Sequence, residues 1–264
     1  MAPWWGAQAV PLDENRFWQI GPCRLWAQHR LYQWQLAWQY ESNWLTPGVQ
    51  VNVPPGGQRP EPSGAAARVH CAYRESVNEL SFSPALADRS LVTKLEHPLR
   101  VLPGENIALY VCSPLWLKIE ATQPPKAMLE IPLFRLSDTW FGQVGQPGEV
   151  CYASRVPVYL QLKDVPLRLH CAITAVTVRN NGVDSLTVER LNLPMPRLAL
   201  FYSRRSGFWT ESLELERTEG PEHAVVHSNR EPPPEAAPHQ LISPSRRGSV
   251  EERTVVRAFS GLFK

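Results

Sequence analysis

His223 and His227 are as close as this chain comes to a metal-ligand pair. A metal centre needs several converging imidazole, thiolate or carboxylate groups, and a His-x-x-x-His spacing suits a helix. The flanking residues predict an extended segment, and no Cys-x-x-Cys or carboxylate cluster stands beside the pair, so two surface histidines are the reading that results. The pairs His70-Cys71 and His170-Cys171 do no better, because adjacent residues of a strand point to opposite faces. Small buried cysteines account for them. Nucleophilic catalysis would use a Gly-x-Ser-x-Gly elbow and phosphate handling a Gly-rich loop ending in Lys-Ser/Thr; the sequence has neither. No cofactor, no metal and no catalytic residue are assigned, which leaves open whether the protein is an enzyme, with a binding protein the preferred reading.

Two groups of residues remain that could hold a ligand. The stretch Ser137-Asp138-Thr139-Trp140-Phe141-Gly142, followed by Glu149, Cys151, Tyr152 and Arg155, is read as a polar and aromatic loop. Loops on a rigid sheet are where binding groups collect, so Asp138, Thr139, Trp140, Tyr152 and Arg155 are candidate ligand-binding residues. The same side chains could instead close a turn and plug the end of a sheet. The second group comes from the ten tryptophans, seven of which precede residue 45. Trp34 and Trp38 fall on an apolar strand face and are expected in the core. Trp26 shares a face with Gln28 and Arg30, and Trp116 shares one with Lys118 and Glu120, so each is expected to point away from the apolar side of its strand. An outward ring can stack on a sugar, bury against another protein or pack under a neighbouring loop.

The elements that would carry these residues read as strands. Gln33 to Tyr40 alternates strictly, with Trp34, Leu36, Trp38 and Tyr40 on one face and Gln33, Gln35, Ala37 and Gln39 on the other. Phe17 to Ile20 and Cys23 to His29 flank Gly21-Pro22 and extend this into an antiparallel meander. About a dozen further short runs follow between residues 69 and 217, parted by turn residues, with Asn180-Asn181-Gly182 the strongest hairpin signal. The 26 prolines end such strands and make long helices improbable. The expected fold is all-β, a β-sandwich or jelly-roll-like architecture of one large or two small packed units. The β domain would span 1–228, dividing near 121–127 if it is two units. A shared Arg-x-His-Cys-Ala phrase at 68–72 and 168–172 does not continue downstream and is read as coincidence rather than duplication.

Past the β domain, residues 229–248 are polar and broken by five prolines, the composition of a flexible linker. Ser249-Val250-Glu251-Glu252 then reads as a capping box opening a short amphipathic helix over 249–264. Val255, Val256, Phe259, Leu262 and Phe263 would form its apolar stripe and a docking surface for a protein partner.

Charge and cysteine content narrow the setting. With 27 basic and 25 acidic side chains spread along the chain, a nucleic-acid binder is not expected. Nor is a transmembrane segment, since no run of about eighteen apolar residues occurs. Five cysteines, an odd number, fit free thiols in a reducing compartment, and the N-terminus carries no signal-peptide pattern, so the protein is read as cytoplasmic.

Taken together, Trp18-Gln19-Ile20-Gly21-Pro22, Leu25-Trp26, Pro103-Gly104-Glu105 with Leu109-Tyr110-Val111, Ser137 to Gly142, Cys151-Tyr152-Ala153-Ser154-Arg155 and Glu189 to Pro194 resemble a prokaryotic family. It is the domain-of-unknown-function family numbered 432, and the resemblance runs over about residues 10 to 217. It brings no activity and no catalytic residue. It implies an accessory role at a membrane protein such as a small mechanosensitive channel. The leading expectation is thus a non-catalytic binding or adaptor protein. The alternatives are a carbohydrate- or small-ligand-binding β-sandwich using Trp26, Trp116 or the Asp138 stretch, and an enzyme with a site near Asp138.

Overall fold

The computed structural model describes residues 3–43, 49–51, 61–74, 77–123, 125–142, 148–154, 156–217, 223–249, 254–257 and 259–260. The protein is all-β, 59% strand and 4% helical, and the described residues form four sheets. Among the described residues no helix is long and apolar enough to cross a membrane. The chain forms two compact units. Unit 1 draws on residues 1–85, 115–135 and 168–170, and unit 2 on 86–114, 136–167 and 171–264.

Unit 1 holds strands β1 (Gly6–Ala9), β2 (Asn15–Ile20), β3 (Cys23–Arg30), β4 (Gln33–Tyr40), β5 (Val49–Val51), β6 (Ala67–Ala72) and β7 (Glu79–Ala85). Unit 2 takes β8 (Leu91–Val101) and β9 (Asn106–Pro114), after which β10 (Trp116–Thr122) and β11 (Pro125–Pro132) return to unit 1. The meander read from alternation is present: β2, β3 and β4 pair antiparallel in a five-stranded sheet of order β5-β2-β3-β4-β6. The second sheet runs β1-β7-β10-β11, and Trp18 of the first meets Phe82 of the second with ring centroids 4.9 Å apart. Gly21-Pro22 makes a two-residue turn between β2 and β3. Its φ of +57° at Gly21 is what such a hairpin asks of its first central residue. The imidazole of His170 lies directly against that glycine. The core continues with His29, buried and stacked on Trp34 at 4.4 Å, and with the Trp34 indole donating to the Val77 carbonyl at 3.0 Å.

Unit 2 adds β12 (Ser137–Phe141), β13 (Glu149–Ser154), β14 (Val158–Tyr159), β15 (Cys171–Arg179), β16 (Leu186–Leu193), β17 (Leu200–Ser203), β18 (Gly207–Thr210), β19 (Leu213–Arg217), β20 (His223–Ser228), β21 (Gln240–Ser243), β22 (Thr254–Arg257) and β23 (Phe259–Ser260). One sheet has the order β12-β13-β8-β16-β23; the other centres on β15, which pairs with β9 along one side and with β18 and β19 along the other. The Asn180-Asn181-Gly182 turn is therefore no hairpin: β15 and β16 lie in different sheets. Asn180 is fully buried and decides this. Its amide donates to the carbonyls of Val101 (2.9 Å) and Asp184 (2.7 Å), and its oxygen accepts from Gly182 N–H and from Arg217. A side chain so engaged builds a corner between sheets, where a hairpin turn would have left it in solvent.

Of the expected C-terminal helix, the stretches 254–257 and 259–260 are strands, and 250–253, 258 and 261–264 lie outside the described residues. Thr254–Arg257 pairs antiparallel with β20, Val255 opposite Val225, and Phe259–Ser260 pairs with β16. Val255-Val256 is a β-branched pair suited to a strand, and an isolated helix of about fifteen residues is marginal in water, whereas the β20 edge supplies main-chain partners. Where a linker is expected, the turn Pro234–Ala236 and strand β21 are part of unit 2, with β21 paired to β17 and the Arg246 guanidinium donating to the Leu86 carbonyl. The stretch 121–127 spans the β10–β11 connection inside unit 1.

Candidate functional site

Strand pairing in unit 1 lines up two rows across one face of the β2-β3-β4-β6 sheet. One row is Phe17, Trp26, Ala37, Arg68; the next is Asn15, Gln28, Gln35, His70. Because side chains alternate along a strand, this face is the one opposite Leu25, Trp34 and Leu36, which are core. Phe17 is buried and its ring meets Trp26 at 5.2 Å, which seats the indole from one side. Ala37 fills little of the space between Trp26 and Arg68, and a cavity of about 240 Å³ opens there, lined also by Asn15, Gln28, Gln35 and His70.

Glu61 and Pro62 form its rim. That rim is tied to the sheet: the Ser63 N–H and hydroxyl donate to Gln39 Oε1 (3.3 and 2.8 Å), and Arg68 donates to the Ser63 carbonyl at 3.2 Å. A tryptophan wall, three carboxamide residues, two arginines, a histidine and a glutamate suit reversible binding of a small polar molecule. The set contains no hydroxyl or thiol nucleophile, and among the described residues no group of His, Cys, Asp and Glu could hold a metal.

The Asp138 residues are brought together in unit 2, but on a strand instead of a loop. Asp138, Thr139 and Trp140 belong to β12, at the edge of its sheet, with Asp138 opposite Tyr152 and Thr139 opposite Cys151. Asp138 pairs with Arg89 at 3.2 Å, the Arg89 guanidinium lies 5.3 Å over the Tyr152 ring, and the Tyr152 hydroxyl donates to Asp88 at 2.9 Å. Burial and this bond to Asp88 push the phenol up to about 12, so it stays protonated at neutral pH. Burial and the adjacent Glu149 likewise raise the Cys151 thiol to about 12. Glu149 itself accepts from Ser90 and Asn192. Each of these groups is held by its neighbours in a way that secures the sheet edge. Arg155 lies outside the described residues.

Trp116 is 4% exposed and has no surface to offer a ligand. Its outward position in the strand pattern is covered. Trp38, expected in the core, is half-buried and with Tyr40 and Phe134 lines a groove of about 820 Å³. Of the partner-binding set, Val255, Val256 and Phe259 are in paired strands of unit 2, and Leu262 and Phe263 lie outside the described residues. Sequence reasoning found Trp26 and put Gln28 on its face. It missed Arg68, His70 and Glu61, which are 33 or more residues beyond Gln28 and join the face only through β4–β6 pairing and the Ser63 bonds.

A family model described as "Protein of unknown function (DUF432)" matches residues 4–264, beyond both ends of the 10–217 stretch. No curated protein and no solved structure matches the chain.

Proposed function

We propose that this chain, which belongs to the DUF432 family of proteins of unknown function, is a non-catalytic binding protein of sandwich-like build that takes a small polyhydroxylated ligand on the Trp26 face of unit 1. The observation that carries this reading is the cavity between Trp26 and Arg68, floored by Ala37 and Gln35 and edged with carboxamides. Its volume, about 240 Å³, falls below the roughly 300–1,000 Å³ of drug-sized sites, which favours a ligand of one ring. Aromatic rings receive the C–H face of a sugar, while carboxamides exchange hydrogen bonds with its hydroxyls.

The test is indole-detected NMR on the labelled full chain, titrated with glucose, galactose, mannose, N-acetylglucosamine, glucuronate and galacturonate. The Trp26 signal, identified by its loss in Trp26→Phe, should move with at least one of these, and the signals of buried Trp34 and Trp209 should not. No movement of the Trp26 signal at tens of millimolar for the whole panel would sink the reading. The cytoplasm remains the proposed compartment, supported by five free thiols.

A second reading keeps the adaptor idea and moves it from the C-terminus to β12. Trp140 and Val150 stand opposite each other, 53% and 48% exposed, on a sheet edge that among the described residues is paired on one side alone. An antiparallel edge can pair with itself about a two-fold axis, so a second copy of this chain is the partner it fits. Sedimentation velocity should then show a dimer that Trp140→Glu dissociates; a monomer at all concentrations removes this reading.

A further inference from the structure

We infer that the ligand of the Trp26 face is an acidic sugar, a pyranose carrying a carboxylate; this rests on the binding reading above and deepens it. Trp26 and Arg68 occupy the same cross-strand row with β4 between them. Neighbouring strands lie about 4.8 Å apart, so the indole and the guanidinium stand on strands roughly 10 Å apart, with only the Ala37 methyl between. A sugar ring stacked on the indole projects its exocyclic carbon toward the opposite wall. That wall is Arg68 with His70 one row on, both exposed and both donors able to face an anion.

The charges around the cavity support an anion at this end. Arg16 is already answered by Glu14 at 3.7 Å, and Glu61, the carboxylate of the lining, belongs to the rim and not to the sheet row. Arg68 is oriented by its bond to the Ser63 carbonyl, which engages one terminal nitrogen of a five-donor fork. Glu61 at the rim is placed to accept sugar hydroxyls, as the carboxamides of Gln28 and Gln35 are to exchange bonds with them. A flat aromatic acid would use Trp26 and Arg68 and leave Gln28, Gln35 and Glu61 to water, so it would make fewer contacts with this lining than a sugar acid.

Ligand-observed NMR and calorimetry on the full chain test this with glucuronate and galacturonate, their neutral counterparts glucose and galactose, and benzoate. A charge-assisted pair at an exposed guanidinium is worth about twofold to fivefold in affinity, so the uronates should bind that much more tightly than the hexoses. Raising the salt should narrow the gap. Arg68→Gln, on an exposed strand position, should erase the gap, bringing the uronates down to the level of the hexoses in the same variant. Equal binding of acid and neutral sugars, both lost in Trp26→Ala, overturns the acidic class and leaves the binding face standing. Benzoate binding as tightly as a uronate overturns the sugar. Binding of none of the five overturns both the class and the face.

Discussion

At the scale of single residues, contact with a neighbour decides what each side chain can do. Gly21 shows this most directly. A β-carbon there would sit 2.3 Å from His170 Nδ1, and the residue holds φ +57°. Gly104 has a similar φ of +76° with nothing within 4 Å of the same position. Gly104→Ala should therefore cost only the backbone term, about 1–2 kcal/mol, while Gly21→Ala should cost distinctly more. Thermal melts check this, at roughly 2–4 °C per kcal/mol for a chain of this size; equal losses would show that His170 moves freely. Titration gives a second residue-scale prediction. Burial holds the thiols of Cys23 and Cys151 up at about 12 against an ordinary 9.0, and the phenols of Tyr73 and Tyr152 at about 12 against 10.0. As pH rises the unfolded chain gives up these protons first, so the folded state binds more protons and loses stability. Stability should be full below about pH 9 and fall between 9 and 12, read as a falling denaturant midpoint. A midpoint unchanged from pH 7 to 11 contradicts the burial of these groups.

Elements depend on partners that lie far along the chain. Thr254–Arg257 carries an apolar pattern compatible with a helix, and it is a strand because β20 offers its edge. Deleting 254–264 should leave the edges of β20 and β16 open, lower the denaturation midpoint and promote association, since unpaired edges recruit other chains. Light scattering and a denaturant titration measure both; a truncated chain that stays monomeric with its midpoint intact would argue that the C-terminal strands contribute nothing. Asn180-Asn181-Gly182 is the complementary case. Its turn chemistry was readable, but which sheets it joins was not, because that depends on the hydrogen bonds Asn180 donates to the end of β8 and accepts from Arg217. Asp138 to Phe141 lacked the alternation of a clear strand for the same reason: its place at an edge is set by pairing with β13.

For the whole molecule, the chain passes between the two units at 85–86, 114–115, 135–136, 167–168 and 170–171, so neither unit is one contiguous piece. A fragment ending at residue 121 cuts β10 and omits β11, which closes the β1-β7-β10 sheet, and it lacks the His170 that covers Gly21. Such a fragment should not unfold cooperatively on its own, whereas the full chain should. A sharp melt from residues 1–121 would mean that the strands before β11 suffice.

What the sequence by itself determined was what local spacing can carry. Strand class, the β2-β3-β4 meander, the side of β3 on which Trp26 stands, the five thiols and the family all follow from period-two alternation, turn residues or motifs contiguous in the chain. What the tertiary structure alone decided was the surroundings of each face. Trp26 keeps an accessible side next to Arg68 and Gln35, while Trp116, in a pattern of the same kind, is covered. The physical reason is that alternation specifies which way a side chain points, and only the packing of distant strands specifies whether water, a ligand or another side chain meets it there.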